Sequence, residues 1–309
     1  MTEPEPLRHF LEVDGLGGPD LVAVLDAAEQ ADLPRVLEGR GAALLFEKPS
    51  NRTRSATEMA VVQLGGHPLS IRGDEVGFDT RETVEDVART LACYHAVIGA
   101  RVFAHRTVER LAAASSVPVV NLLSDHAHPL QALADLLTLR QRWGSLGGRR
   151  LAWVGDFNNV ARSLCLAAAL AEIEVAVAAP AGYGPTPTDL EKLAALGCRP
   201  LVTTTPVDAV TGAHAVVTDT WASMGQEAAA DMRRRAFAAA GFTVDAGLMA
   251  RAEPGALFLH CLPAHRGEEV ATEVIDGPSS MVWPEAENRM HAARGLLWWL
   301  VDGAGADRG

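Results

Sequence analysis

The sequence predicts an α/β protein of two doubly wound domains, each a parallel sheet flanked by helices, with a C-terminal helix that returns to the first domain. Three observations predict it. Short, almost wholly apolar runs alternate with longer segments of helical character, the pattern of strands covered on both faces. The alternation breaks once, at WGSLGGRR (residues 143–150), where four of eight residues are Gly or Ser. Polar clusters follow the carboxyl ends of the predicted strands, where open α/β sheets bind their ligands.

Four strands are predicted before the break: 42–46 (AALLF), 67–71 (HPLSI), 95–101 (HAVIGAR) and 117–123 (VPVVNLL). Five follow it: 151–155 (LAWVG), 174–179 (EVAVAA), 200–203 (RPLV), 214–219 (HAVVTD) and 256–261 (ALFLHC). Helices are predicted between them, among them 82–93, 128–142 and 160–171. The expected division is residues 1–145 for the first domain and 146–286 for the second, with the final helix, in 287–309, packing back on the first. AAPAGYGPTPTD (178–189) is a Pro- and Gly-rich surface loop.

The 309 residues are 48% hydrophobic, enough for real cores, and carry a net charge of −12. That charge excludes nucleic acid or an anionic membrane as the main partner, so any bound anion must be held by local chemistry. The four cysteines, at 93, 165, 198 and 261, are scattered without a CxxC pair, which fits a reducing cytoplasm. The acidic start MTEPEPLRHF has no apolar stretch of signal-peptide type. No apolar run reaches the ~18 residues of a membrane span; GLLWWLV (295–301) reads as a helix docking its aromatic face on a core.

The first cluster is Ser50-Asn51-Arg52-Thr53-Arg54, at a strand-to-helix junction. A helix N-terminus offers unpaired N–H groups and partial positive charge, and the arginine fork pairs two phosphate oxygens. The run is either a helix cap with two solvent-facing arginines or a phosphate site, and Arg101 at the end of a nearby strand favours the second. His128-Pro129-Leu130-Gln131 opens a helix with Pro in its first turn; His128 and Gln131, three apart, share a side. They are either a capped helix start or a pair aimed at a carbonyl group. His126 reads as a loop residue.

Gly155-Asp156-Phe157-Asn158-Asn159 stands where a dinucleotide fingerprint would stand, yet its amides replace the GxGxxG glycines. That disfavours a nicotinamide oxidoreductase and suggests a small polar ligand. Asp219 and Ser223 share one loop, where a carboxylate can meet an ammonium or form a local turn. Cys261 ends a buried strand as a core thiol or a reactive one. Strand alternation directs His260 to the opposite face, and the pair has too few companions for zinc.

These motifs together resemble the ornithine carbamoyltransferases over essentially the whole chain. The resemblance rests on the Ser50–Arg54 run (family pattern Ser-x-Arg-Thr-Arg), LGGHP at 64–68, Arg101, the His128–Gln131 run, GDFNN at 155–159, DTWASMGQE at 219–227, HCLPAHRGEE at 260–269 and WPEAENRMHA at 283–292. The first and fourth are shared by carbamoyltransferases generally. The Asp-x-x-x-Ser-Met-Gly and His-Cys-Leu-Pro motifs point to ornithine over aspartate.

The resemblance implies transfer of the carbamoyl group of carbamoyl phosphate to the δ-amine of L-ornithine, giving citrulline and phosphate, within arginine metabolism and without metal or organic cofactor. Ser50, Asn51, Arg52, Thr53 and Arg101 would hold the phosphate. His128 would polarise the carbamoyl carbonyl, with Gln131 on the carbamoyl amide and Arg289 nearby. Cys261 and Leu262 would complete that set beside the attacking amine. Asn159, Asp219, Ser223 and Met224 would bind the amino-acid end of ornithine. Arg52, Arg101, His128 and Cys261 would be the catalytic group. The family also implies a cytoplasmic homotrimer or assembly of trimers, with a neighbour's loop closing the carbamoyl phosphate site.

Asn51 stands where the family commonly has Thr, and Leu130 where it has a small or polar residue. Gly77, in RGDEVGFDTR (72–81), stands near a phosphate-contacting Gln of many bacterial members. The alternatives are a carbamoyltransferase for another amine, or a non-catalytic relative used for binding or assembly. The latter would be expected to lose Arg52 or His128, and both are present.

Overall fold

The computed structural model describes residues 7–222 and 229–301. The chain divides into two compact units, Met1–Leu137 with Glu287–Gly309, and Thr138–Ala286. Both divisions fall inside helices, at 137/138 and 286/287, and the first precedes the glycine-rich segment.

In the first unit the chain runs through α1 (Gly18–Glu29), β1 (Gly41–Phe46), α2 (Arg52–Gln63), β2 (His67–Arg72), α3 (Gly73–Val76), α4 (Val84–Tyr94), β3 (His95–Arg101), α5 (His105–Ala114), β4 (Val119–Leu123) and into α6 (Pro129–Trp143). The four strands form one parallel sheet in the order β2-β1-β3-β4. Strand order reverses between β1 and β3, so the crevice lies at their carboxyl ends. There Phe46 is in register with Arg101. Glu47 ties the two exits together: its N–H donates to the Arg101 carbonyl at 2.9 Å, and its carboxylate accepts from the Phe103 N–H at 2.7 Å.

The second unit contains β5 (Arg150–Val154), α7 (Asn159–Leu170), β6 (Glu174–Ala178), α8 (Pro187–Ala195), β7 (Leu201–Thr203), α9 (Pro206–Val210), β8 (Ala215–Thr218), α10 (Ala230–Ala239), α11 (Ala246–Met249), β9 (Leu257–His260), α12 (Thr272–Ile275) and the start of α13 (Val282–Val301). Its parallel sheet has the order β7-β6-β5-β8-β9, so its switch point lies between β5 and β8. All nine predicted strands are present, each within two residues of its predicted ends. The last helix begins at Val282, five residues earlier than the final helix predicted from the sequence.

Residues of α13 from Glu287 onward belong to the first unit. Gly295 lets that helix approach α1 closely: a Cβ there would stand 2.6 Å from the Val24 carbonyl and 2.7 Å from the Ala28 nitrogen. The buried Arg294 donates to the carbonyls of Ala28, Gln30 and Ala31. It thereby satisfies acceptors that the end of α1 leaves without helical partners. Leu130 lines a small apolar void with Leu44, Leu122, Ala293, Leu296 and Leu297. An apolar side chain is what that position needs, because a polar one would be buried there without a partner.

Candidate active site

In the first unit α2 starts after β1 with Asn51 as its cap, and no side-chain bond closes that cap. Thr53, the second residue of α2, is 2% exposed. Its hydroxyl accepts from two guanidinium groups, Arg101 at 3.3 Å and Arg289 at 3.1 Å. Arg289 also donates to the Gln131 carbonyl oxygen, and the Gln131 amide donates to Asp135 at 2.7 Å. His128, Gln131, Arg101 and Arg289 are all buried.

His128 immediately precedes α6, and its carbonyl accepts from the Gln131 N–H at 3.1 Å. Its ring is held well below the usual histidine range, first by burial and then by Arg289, Arg101 and Arg52. A neutral imidazole among three guanidinium groups results. Such a group can donate a hydrogen bond to an oxyanion without adding to the cationic repulsion.

The sequence places two arginines at this junction, and the structure gives them different surroundings. Arg52 is half-buried near His128. Arg54 is exposed and pairs with Glu58 at 2.8 Å. Ser50 is half-buried and Asn51 exposed. Gly77 ends α3 with φ of +62°, a conformation that suits glycine and would strain a side chain. The loop beyond it is pinned by Arg110, which donates to Asp79 at 2.6 and 3.0 Å and to Glu85 at 2.6 and 2.7 Å.

In the second unit Asp219 follows β8 and is buried. One carboxylate oxygen accepts from the Asn158 amide at 2.8 Å, the other from the Cys261 thiol at 3.3 Å. Asn158 also caps α7, its side-chain oxygen accepting from the Val160 and Ala161 N–H groups at 2.9 and 3.1 Å. Of the two adjacent amides, the family resemblance implies Asn159 for the ligand. The structure places Asn158 on Asp219, with Asn159 half-buried at the first turn of α7. Ser223 and Met224 lie outside the described residues.

His260 departs from expectation. Donor atoms of Asp219, His260 and Cys261 lie within 4.8 Å of one another. Strand β9 ends at His260, and Leu262 takes a left-handed φ of +59°, so pleat alternation does not extend to Cys261. The three still do not form an open metal site. The His260 Nδ1 accepts from the Leu262 N–H at 2.9 Å, and its Nε2 lies 3.2 Å from Glu269. That arrangement places the ring proton on Nε2. Burial raises the Glu269 carboxyl, but its bonds to His260 and to the His265 N–H outweigh burial and leave it lowered. A second group, His265, Glu268 and Glu269, is likewise engaged, Glu268 with Arg234 at 3.1 Å.

Asp156, in the loop after β5, carries an ion pair to Arg233 at 2.5 Å. Burial pushes its carboxyl up to about 6 against the pull of Arg233. Asp156 belongs to the GDFNN run, whereas nothing in the sequence singles out Arg233.

Residues 8–141 match the family described as aspartate/ornithine carbamoyltransferase, carbamoyl-P binding domain. Residues 147–300 match aspartate/ornithine carbamoyltransferase, Asp/Orn binding domain. The ornithine carbamoyltransferases of Thermus thermophilus and Acidothermus cellulolyticus are each 49% identical to the chain. They cover 95% and 97% of it, and 97% and 98% of their own lengths are matched. Among solved structures, that of ornithine carbamoyltransferase from Pyrococcus furiosus has a TM-score of 0.91 at 41% identity, over 96% of this chain and 97% of that one.

Proposed function

The chain belongs to the ornithine carbamoyltransferase family, and from that premise we propose the reaction and the part each residue plays in it. The chain transfers the carbamoyl group of carbamoyl phosphate to the δ-amine of L-ornithine, forming citrulline and releasing phosphate. The observation that carries this is the buried set of Thr53, Arg101, His128, Gln131 and Arg289 at one switch point. It concentrates anion-binding groups in a protein of net charge −12.

Ser50, Asn51, Arg52, Thr53 and Arg101 hold the phosphate at the start of α2. The neutral δ-amine attacks the carbonyl carbon, and the carbonyl oxygen gathers charge in a tetrahedral intermediate. Arg101 and His128 donate to that oxygen, each such donor being worth about 3–4 kcal/mol of barrier. The C–O bond to phosphate then breaks, and Arg52 stabilises the leaving group. Gln131 is oriented for its part. Its N–H faces Asp135 and its oxygen faces Arg289, and that oxygen's second lone pair can accept from the carbamoyl amide.

A free alkylamine has a pKa of about 10.4, so the amine must lose a proton before attack. A setting beside Cys261 and Leu262 and away from water favours the neutral form, and a phosphate oxygen is the final acceptor. Asp219 with Asn158, and by family resemblance Asn159, Ser223 and Met224, hold the amino-acid end of ornithine.

The reading includes a cytoplasmic enzyme of arginine metabolism that works as a homotrimer or assembly of trimers. Two features support it. Among the described residues no helix is long and apolar enough to cross a membrane. Met59 and Val62 on α2 and Leu69 on the edge strand β2 expose apolar surface of the kind a second copy covers. Light scattering tests the assembly. Citrulline formation from carbamoyl phosphate tests the reaction, with L-ornithine run beside putrescine, aspartate and N-acetylornithine. Turnover with ornithine alone is expected; turnover with another acceptor alone would leave the phosphate half standing and remove the ornithine half.

A further inference from the structure

Arg233 lies outside every motif described above, yet it is a buried cation at the acceptor end of the second unit. It projects from α10 and joins three separate segments. Its guanidinium pairs with Asp156 after β5 at 2.5 Å and donates to the Trp221 carbonyl after β8 at 2.5 Å. It stacks 4.6 Å from the Tyr183 ring, after β6. β5 and β8 are the neighbours at the switch point.

The two segments it fastens are those that carry the Asn158–Asp219 pair. Asn158 is two residues beyond Asp156, and its N–H donates to the Asp156 carbonyl at 2.9 Å. Asp219 is two residues before Trp221. Charge leads to the same place. Asp156 and Asp219 are close enough for Asp219 to raise the Asp156 carboxyl. With Arg233 present one of the two negative charges is neutralised locally, and Asp219 remains the carboxylate available to an ammonium group.

We propose that Arg233 is a positioning residue for the acceptor amino acid: it fixes Asp219 and Asn158 in place and sets the net charge they present. The proposal rests on the reading that Asp219 binds the α-amino end of ornithine. It acts through other residues, so its signature is selective. Loss of Arg233 raises the KM for ornithine and leaves the KM for carbamoyl phosphate unchanged.

The test is steady-state kinetics on the wild type, Arg233→Met, Arg233→Lys and the double variant Asp156→Asn/Arg233→Met. The double variant removes both charges and so avoids stranding a buried carboxylate. In the folded Met variant the ornithine KM is expected to rise at least about tenfold, the loss of about one well-made interaction, with the carbamoyl phosphate KM within about twofold. The Lys variant keeps the charge and loses the planar fork, so it falls between the two. If Arg233→Met does not fold, the double variant carries the test, with the same selective rise expected. An ornithine KM within twofold of wild type in either folded variant overturns the proposal, as does an equal rise in both KM values. Absence of citrulline formation by the wild type would instead remove the reading beneath it.

Discussion

Thr53→Val tests the core of the proposed phosphate site, because it removes one oxygen and almost no volume. The Thr53 hydroxyl accepts from Arg101 at 3.3 Å and Arg289 at 3.1 Å and is 2% exposed. Hydrogen bonds to charged groups contribute about 1.5–3 kcal/mol each. These two are longer than the common 2.9–3.0 Å, so each belongs at the low end. Arg289 also keeps its bond to Gln131. The expected loss is therefore about 2–3 kcal/mol, read as a shift of the urea midpoint at unchanged slope. Thr53→Ser, which keeps the oxygen, should stay within about 1 kcal/mol of wild type. In kinetics the Val variant loses both a phosphate ligand and the alignment of two arginines. The KM for carbamoyl phosphate should rise by about tenfold or more while that for ornithine moves little. A Val variant within about 0.5 kcal/mol of wild type, with an unchanged carbamoyl phosphate KM, would show that the hydroxyl organises nothing.

Gly295→Ala should cost about 1–3 kcal/mol of stability, since the added Cβ meets α1 backbone at 2.6–2.9 Å; a wild-type unfolding midpoint would refute the close approach. Leu130→Ala should cost about 3–5 kcal/mol by enlarging the void it lines, measured by urea unfolding, and a loss under about 1 kcal/mol would count against that packing. His128 is held below the usual histidine range, so below pH 6.5 the unfolded chain takes up a proton that the folded one refuses. Its contribution to stability is complete above pH 6.5 and is lost as pH falls below it. Ring-proton NMR of the free protein should show no His128 titration near 6.5, and a full titration there would refute the neutral imidazole. Asp156 works in the opposite direction: its carboxyl moves from an ordinary 3.8 to about 6, so the folded state gains a proton first. Its ionisation then costs about 3 kcal/mol, absent below about pH 4 and fully present above about pH 6. The stability difference between wild type and Asp156→Asn should change by about that amount between these limits, and parallel pH curves would exclude the raised carboxyl.

Where the sequence was read well, a local rule was sufficient. Apolar runs bounded by turn residues identify β1 to β9 because parallel strands are buried on both faces. Arg52, Thr53, Arg101 and His128 could be proposed as site residues because each lies at a strand exit or helix start, and doubly wound folds place ligands there. What could not be read depends on contacts across the chain. Asp135 gains meaning only through Gln131, four residues earlier. Arg233 reads as one of three consecutive arginines on a helix, and nothing local marks it as the one that turns inward to Asp156. Nor does anything local show that Asn158, the cap of α7, also reaches Asp219 at another strand's exit. The expectation for His260 failed because alternation was carried past the last strand residue, into a turn where Leu262 is left-handed.

The cationic cluster also accounts for how an acidic chain can hold an acyl phosphate. At a net charge of −12 the long-range field repels anions, and at physiological salt that field decays over about 8 Å. Arg101, Arg289 and His128 are buried beyond much of that screening, and the Asp135 carboxylate accepts from the Gln131 side-chain amide. Gln131 links Arg289 to Asp135, its side-chain oxygen accepting from the first and its amide donating to the second. Burial first, and the neighbouring guanidinium groups after it, keep His128 neutral. The proposed anion site thus rests on a few buried cationic groups, a property of the contacts and not of the composition.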